Sequence, residues 1–133
     1  NNTFIEGKGF NAGTAWGSGT DNLVYNNLYI NCKTVNLEGT HNYNGFSDSN
    51  SRGESHAQIN IPTSLFINYS GGNYRLASPT NVGQSYSSPF NLDLSGLIRG
   101  SDGAWDRGAF EFGGAKPPGK TIKSTPATIR VTQ

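Results

Sequence analysis

The chain has 133 residues, and it contains no methionine, a single cysteine and few charged residues. Because Cys32 is alone, no disulfide can form within the chain, and one cysteine with two histidines gives no zinc-site spacing. Charged residues make up 14% of the chain and the formal net charge is +1, so no basic stripe indicates nucleic acid. No apolar run approaches the roughly 20 residues that a membrane-spanning helix needs. We therefore expect no nucleic-acid partner, no membrane span, and no metal or other cofactor.

Apolar residues are also scarce. With glycine left out they make up 33% of the chain, whereas the roughly 45–50% of an average domain includes about 7% glycine. This deficit argues against a broad core, whereas a narrow core that runs along a stack of short strands is compatible with it. The chain is instead rich in glycine, asparagine, serine and threonine, which favour turns. Low charge and abundant asparagine, with neither an initial methionine nor a signal-peptide pattern, predict a processed extracellular or cell-surface protein.

One short segment recurs along the chain. NNTFIE at residues 1–6 returns as NNLYIN at residues 26–31 and as SLFIN at residues 64–68. Self-similarity at a period of roughly 20–50 residues is typical of repeat architectures, and the unit here reads as a short strand flanked by asparagine. We therefore predict an all-β solenoid of a few stacked coils. Asparagine at equivalent corners is expected to form hydrogen-bonded ladders; the alternative, a Ca²⁺ site, lacks the carboxylates that calcium prefers.

The spacing of turn residues divides the chain into three parts. Residues 1–76 are predicted to form the coils, with a polar loop excursion at residues 38–60, where the repeat period stretches. Residues 77–112 are densely punctuated by glycine and proline and are predicted to form a loop-rich C-terminal cap. Residues 113–133 are predicted to form a Pro/Gly linker that leads into a short terminal strand, Thr128–Thr132.

The order of elements resembles the C-terminal end of bacterial right-handed parallel β-helix proteins, the pectate-lyase-like superfamily. The matching segments are LFIN at 65–68, GNYRL at 72–76, SP at 78–79, DLSGLIR at 93–99 and DRGAFEF at 106–112. The resemblance covers residues 1–112 and is strongest over 64–112. Two positions depart from the family pattern: Arg107 replaces an apolar residue, and Thr63 replaces an aspartate. The resemblance implies a right-handed parallel β-helix of few coils, and we expect this chain to be the end of a longer solenoid.

A first set of candidate catalytic residues lies in or near the predicted excursion. The set comprises Arg52, His56, Lys33 and Glu54. In lyases of the resembled superfamily, a basic residue abstracts a sugar proton while a cation neutralises the neighbouring carboxylate. By that resemblance His56 would act as the base, and Arg52 and Lys33 would supply the positive charge. The alternative is that Glu54 and His56 only tie the loop to the body of the molecule.

A second set combines carboxylates with arginine near the C-terminal end. It comprises Asp93, Arg99, Asp106 and Glu111. Paired carboxylates can hydrolyse glycosides across a cleft when they lie roughly 5–9.5 Å apart. These carboxylates alternate with arginine within the predicted cap, so we interpret them as a structural network held by an Asp93–Arg99 or an Asp106–Arg99 ion pair.

Aromatic residues provide candidates for carbohydrate binding, because sugar rings stack on exposed aromatic faces. Trp16, which lies among glycines, and Tyr43 are the predicted stacking residues, with Arg52 as a polar partner. Tyr29 is expected to face inward, since its counterparts in the repeat are Phe4 and Phe66. Trp105 is expected to pack within the cap.

The function predicted from these features is that of an extracellular, carbohydrate-associated β-helix end, which serves as a scaffold or contacts a glycan. Whether the chain is an enzyme stays undecided at this level, and the residues favour a role without catalysis by this chain alone. One alternative is a part of a polysaccharide lyase or glycoside hydrolase. Another is a self-assembling filament or surface protein. The expected partners are a polysaccharide, or another β-helix segment or chain that stacks on the N-terminal rung.

Overall fold

The computed structural model describes residues 1–12 and 23–118, and this part of the chain is all-β with almost no helix. Trp16 and the predicted terminal strand Thr128–Thr132 lie outside the described residues. The elements within the described ranges are β1 (Thr3–Ile5), β2 (Phe10–Ala12), β3 (Leu23–Tyr25), β4 (Leu28–Ile30), β5 (Val35–Leu37), β6 (Thr40–Asn42), β7 (Gly45–Phe46), a 3₁₀ turn (Thr63–Leu65), β8 (Phe66–Asn68) and β9 (Asn73–Leu76). No helix in these ranges is long and apolar enough to span a bilayer.

Within the described ranges, strands β1 to β7 pair in parallel, and each pair joins strands that are three places apart in chain order. β1 pairs with β4 and β4 with β7, which gives one sheet of three strands. β2 pairs with β5, and β3 pairs with β6, which gives two sheets of two strands. Consecutive strands from β1 to β7 therefore belong to different sheets, because the chain turns between them and returns to the first sheet with every third strand.

An asparagine ladder runs along the corner that precedes β1, β4 and β7. The backbone nitrogen and Nδ2 of Asn2 both donate to Oδ1 of Asn27, at 2.9 and 3.2 Å. The same two groups of Asn27 donate to Oδ1 of Asn44, at 2.9 and 3.0 Å. The ladder predicted for asparagine at equivalent corners is confirmed. Asn27 and Asn44 are buried, so these bonds satisfy polar groups that water does not reach.

Aromatic rings stack one above another along the sheet β1–β4–β7. The ring of Tyr29 lies between those of Phe4 and Phe46, with centroids 5.1 and 5.5 Å away and interplanar angles of 11° and 9°. Tyr29 is 1% exposed, so the prediction that it faces inward is confirmed. Aromatic pairs of this kind contribute about 0.5–1.5 kcal/mol each beyond the burial of their area. Leu28 and Ile30 of the same strand are buried on its opposite face, against Ile61.

The position predicted for the third repeat is wrong. The strand that stacks on β4 is β7, whereas β8 pairs antiparallel with β9. Gly45 occupies the place held by Thr3 and Leu28 in the preceding strands, which removes the side chain that would reveal the repeat. A Cβ on Gly45 would lie 2.6 Å from both Leu28 Cδ2 and Ile61 Cδ1, so neighbouring side chains fill that space. β6 and β7 consequently lie within the segment predicted as a loop at residues 38–60.

Residues 107–109, which we call the clip, run across the N-terminal ends of the strands of the three-stranded sheet. Their hydrogen bonds run from Arg107 Nη1 to the Asn44 carbonyl (2.8 Å), from the Gly108 amide to the Asn26 carbonyl (2.7 Å) and from the Ala109 amide to Thr3 Oγ1 (3.0 Å). The acceptors lie in β1 and in the corners before β4 and β7. The segment predicted as a C-terminal cap, residues 77–112, thus reaches back to the first strand.

Candidate functional site

Arg52 lies in the loop after β7, and its guanidinium is held by neighbouring groups. Nη1 and Nη2 donate to the two carboxylate oxygens of Asp48, at 2.8 and 2.7 Å. The guanidinium carbon also lies 4.7 Å from the centre of the Phe46 ring, a cation–π contact. These hydrogen bonds from Arg52 lower the pKa of Asp48. Much of the charge of Arg52 is therefore committed within its own loop.

Glu54 is buried and joins the same loop to the asparagine ladder. Its Oε2 accepts from the Asn44 amide at 2.9 Å, and its Oε1 accepts from Asn44 Nδ2 at 2.6 Å. Oε1 also lies 3.2 Å from His41 Nδ1. Because the Glu54 side chain is fully shielded from solvent, its carboxylate has no access to a substrate and serves to connect elements.

His56 is exposed and stacks on Tyr43, with ring centroids 4.5 Å apart and an interplanar angle of 2°. Its Nδ1 lies 3.1 Å from Asn42 Nδ2 and 3.0 Å from Ser55 Oγ. Lys33 is exposed after β4, and its backbone amide donates to the Gly7 carbonyl. Within the described residues, the side chains of Arg52, Glu54 and His56 hydrogen-bond to different neighbours.

The four predicted cap residues, Asp93, Arg99, Asp106 and Glu111, are all buried. Arg99 Nη1 forms an ion pair with Glu111 Oε2 at 3.3 Å, and Arg99 Nη2 donates to the Gly108 carbonyl at 2.8 Å. The ion pairs predicted for Asp93 or Asp106 with Arg99 are therefore not the ones that form. Nη1 of Arg99 donates to the backbone carbonyl of Asp106 instead of its carboxylate.

The two aspartates are occupied by backbone amides. Asp93 Oδ1 accepts from the amides of Ser95 and Leu97, both at 2.7 Å, and its Oδ2 accepts from the Glu111 amide at 3.0 Å. Asp106 accepts from the Thr80 amide at 2.6 Å and from the Phe112 amide at 2.9 Å. A carboxylate has two acceptor oxygens and can bond several amides at once, and both aspartates do so here.

Burial dominates the titration of the Arg99–Glu111 pair. Loss of solvent raises the pKa of Glu111 to about 7, although amides of Gly100 and Asp106 donate to its carboxylate and favour the charged form. Loss of solvent likewise lowers the pKa of Arg99. The side chains of both residues are almost completely inaccessible, so this perturbed pair lies in the interior and not at a surface where a substrate could meet it.

A row of rings follows the side of the molecule formed by β3 and β6. It comprises His56, Tyr43 and Tyr25, and Tyr43 is 6.3 Å from Tyr25 by ring centroids. One face of Tyr43 is covered by His56, and the guanidinium of Arg107 lies 6.0 Å from its ring centre. Tyr43, predicted as a stacking residue, is half-buried and supports the ring of His56. The exposed ring at this end of the row is His56.

The row leads into a cleft of about 250 Å³. The described residues that line it are Asn1, Leu23, Tyr25, Tyr86 and Phe90. Phe90 is 67% exposed and Leu23 is 68% exposed, so large apolar surfaces stand open to solvent at the cleft. The ring of Tyr86 packs edge-on against Trp105, with centroids 6.0 Å apart, which fixes its position. Aromatic clefts with a few polar groups are the common form of small-molecule and sugar sites.

The sequence alone shows the aromatic residues of this cleft but does not predict their proximity. Tyr25 and Tyr86 belong to its aromatic content, but nothing local indicates that they meet, since they lie far apart in the chain. Phe90 follows Ser-Pro in a turn-rich segment. That position is the one sequence feature that could have identified Phe90 as an exposed cleft residue. Among the described residues, no group of three or more histidine, cysteine, aspartate or glutamate side chains could hold a metal ion. Cys32 is a free thiol.

Comparison with known proteins adds no relative: no family model matches the chain, and searches of curated proteins and of solved structures found no significant match.

Proposed function

We propose that this chain is the end of a right-handed parallel β-helix of the pectate-lyase-like kind, and that it acts outside the cell or at its surface by contacting a glycan. The fold proposal is supported by four parallel pairs, each of which joins strands three places apart in chain order. The asparagine ladder and the stack of Phe4, Tyr29 and Phe46 are the internal rows expected of such coils.

The glycan proposal rests on one observation: Tyr25, Tyr86 and Phe90 line an open cleft at the end of a row of aromatic rings. The C–H faces of a sugar ring pack on aromatic faces, while hydroxyl and amide groups bond to the sugar hydroxyls. Tyrosine supplies both kinds of contact. Phe90 and Leu23 are each about two-thirds exposed, so the cleft keeps apolar surface accessible to a ligand.

The burial of four carboxylates favours glycan binding over hydrolysis or β-elimination. Glu54, Asp93, Asp106 and Glu111 are buried, and each accepts hydrogen bonds from the protein itself. A glycosidase needs two carboxylates that face the scissile bond. Within the described ranges, these carboxylates face the interior. We therefore propose a contact or scaffold role in preference to a lyase or glycosidase role.

Affinity electrophoresis of the full chain in native gels that contain soluble polysaccharides tests the proposal. We expect retardation by at least one polysaccharide, and about tenfold weaker retention for Phe90→Ala, which corresponds to about 1.4 kcal/mol. Leu94→Ala is the matched control, because Leu94 is 75% exposed and is not part of the cleft lining. Equal mobility in every gel would contradict glycan contact. Equal loss for both variants would contradict this cleft as the site.

A second candidate function is stacking of another β-helix segment or chain on the first rung. It is favoured by the pairing of β1, β2 and β3, each of which bonds to one neighbouring strand in the described structure. The other edge of a strand offers unpaired backbone groups that can template further pairing. Light scattering over two decades of protein concentration tests this candidate. A mass that rises with concentration is expected, and a constant monomer mass would count against it.

A further inference from the structure

We infer that the glycan recognised at the cleft is uncharged, so that the site selects neutral polysaccharides over those carrying carboxylates. This inference rests on the proposed function and specifies its ligand class. Among the described residues, the side chains that line the cleft are one asparagine, one leucine, two tyrosines and one phenylalanine. None of these five is a lysine, an arginine or a histidine. The α-amino group of Asn1 donates to the Tyr25 carbonyl at 3.5 Å, and burial lowers its pKa to about 6, so this group is mostly uncharged at neutral pH. A carboxylate brought into the cleft would lose water without gaining a cationic side chain from this lining.

The two arginines that pack beneath the aromatic groups cannot fill that role. The guanidinium of Arg107 lies 6.0 Å from the ring centre of Tyr43, and it donates to the carbonyls of Asn44 and Val82 at 2.8 and 3.1 Å. Arg107 is 2% exposed. Its charge therefore holds the protein together and is shielded from any ligand on the surface.

Arg99 is committed in the same way. Its guanidinium lies 5.9 Å from the ring centre of Trp105, which in turn packs on Tyr86 of the cleft. Its donors are used by the carbonyls of Gly108 and Asp106 and by the carboxylate of Glu111. Recognition of an acidic sugar normally uses an accessible arginine or lysine that reaches the carboxylate. Both of these arginines have their guanidinium groups bound to protein oxygens.

The groups that remain suit sugar hydroxyls. A phenol both donates and accepts a hydrogen bond, and Tyr25 and Tyr86 each bring one to the cleft lining. Burial raises the pKa of Tyr86, so its hydroxyl keeps its proton and can donate. The amide oxygen of Asn1 is oriented by Trp105 Nε1 at 3.5 Å. Neutral donors and acceptors beside exposed aromatic surface match a neutral pyranose, which is apolar on its faces and polar around its edge.

Matched polysaccharide pairs with the same backbone and different charge test the inference. The probes are hydroxyethylcellulose against carboxymethylcellulose, and highly methyl-esterified pectin against polygalacturonate. We expect the full chain to bind a neutral member at least tenfold more tightly than its acidic counterpart. We also expect that binding to persist as NaCl is raised, because salt screens ion pairs and leaves stacking and hydrogen bonds in place. Phe90→Ala should abolish the preference, and Leu94→Ala should keep it.

The outcomes separate the inference from the proposed function. Tight binding to the acidic member that weakens steeply with salt would overturn the inference while leaving glycan contact standing. Binding to neither member of any pair would overturn both. Binding to a neutral member that Phe90→Ala leaves unchanged would also overturn the inference, because the selectivity would then come from another surface.

Discussion

The tightest fit in the clip is at Gly108, its middle residue. Its φ is +91°, a backbone conformation that residues with a side chain rarely adopt. A Cβ at this position would lie 2.7 Å from Thr3 Oγ1 and 2.8 Å from Leu28 Cδ1. Both neighbours are held, since Thr3 accepts from the Ala109 amide and Leu28 is completely buried. Gly108→Ala therefore combines backbone strain with a clash against atoms that cannot move aside easily.

We expect Gly108→Ala to lower the free energy of unfolding by about 3 kcal/mol. Positive φ costs a non-glycine residue about 1–2 kcal/mol, and overpacking of a well-filled site costs about 1–3 kcal/mol. Since a domain has about 5–15 kcal/mol of stability in total, the loss is a large share of it. Urea denaturation of the full chain, followed by tryptophan fluorescence and by circular dichroism, gives the difference directly.

Substitutions at two other glycines separate the cost of backbone strain from the cost of the packing clash. Gly103 has φ of +97°, and a Cβ added there would have no heavy atom within 4 Å, so Gly103→Ala should cost about 1 kcal/mol from the backbone alone. Gly45→Ala brings a Cβ to 2.6 Å from Leu28 Cδ2 and Ile61 Cδ1 without a positive φ, so it tests packing alone, at about 1–3 kcal/mol. If Gly108→Ala costs no more than Gly103→Ala, the close approach of the clip to β1 and β4 is refuted.

Three further predictions follow from the loop and the buried carboxylates. Asn44→Ala should cost about 3–4 kcal/mol in urea denaturation, because it leaves the buried Glu54 carboxylate without its Nδ2 donor and removes a rung of the asparagine ladder; a loss below about 1 kcal/mol would contradict this. Glu111 has a pKa raised by burial to about 7, so the stability it contributes is full below its unfolded value near 4.5 and is lost as pH rises through 7. The melting temperature of the wild type should thus fall between pH 5 and pH 8 relative to that of Glu111→Gln, and parallel curves would count against it. Arg52→Ala should cost about 1 kcal/mol through its contacts with Asp48 and Phe46, and should leave glycan retardation unchanged; loss of retardation would assign Arg52 to the binding site.

The features that could be predicted from the sequence are those carried by local pattern. Asparagine before an apolar strand recurs at Asn2 and Asn27. Repeated asparagine at equivalent corners predicts a hydrogen-bonded ladder. Tyr29 takes the place of Phe4 in the repeat, so its inward orientation follows from the same pattern. Scarce apolar residues, many turns and no helical period predict an all-β chain, and the described structure is consistent with that.

The features that could not be predicted depend on distance in the chain or on a missing side chain. Gly45 hides the third strand because glycine carries no side chain to show the repeat, while Ile61 from the following loop fills the space. The partner predicted for Arg99 is wrong because Asp93 and Asp106 accept from backbone amides instead, and Arg99 pairs with Glu111. Tyr25 and Phe90 line the same cleft although they lie far apart in the chain. No local sequence pattern predicts that they are close in space.

The clip also makes folding depend on contacts between residues that lie far apart in the chain. Stacked strands that touch only their neighbours can form and separate one at a time, so their stability is close to a sum over adjacent pairs. Here the bond from Ala109 to Thr3 joins residues 106 positions apart, and Trp105 reaches Asn1 across 104 positions. Such long-range closure slows folding, because loop entropy is lost before the contact forms. Strand β1 is therefore held by a segment about a hundred residues later in the chain, and fraying of β1 must break contacts made near residue 109.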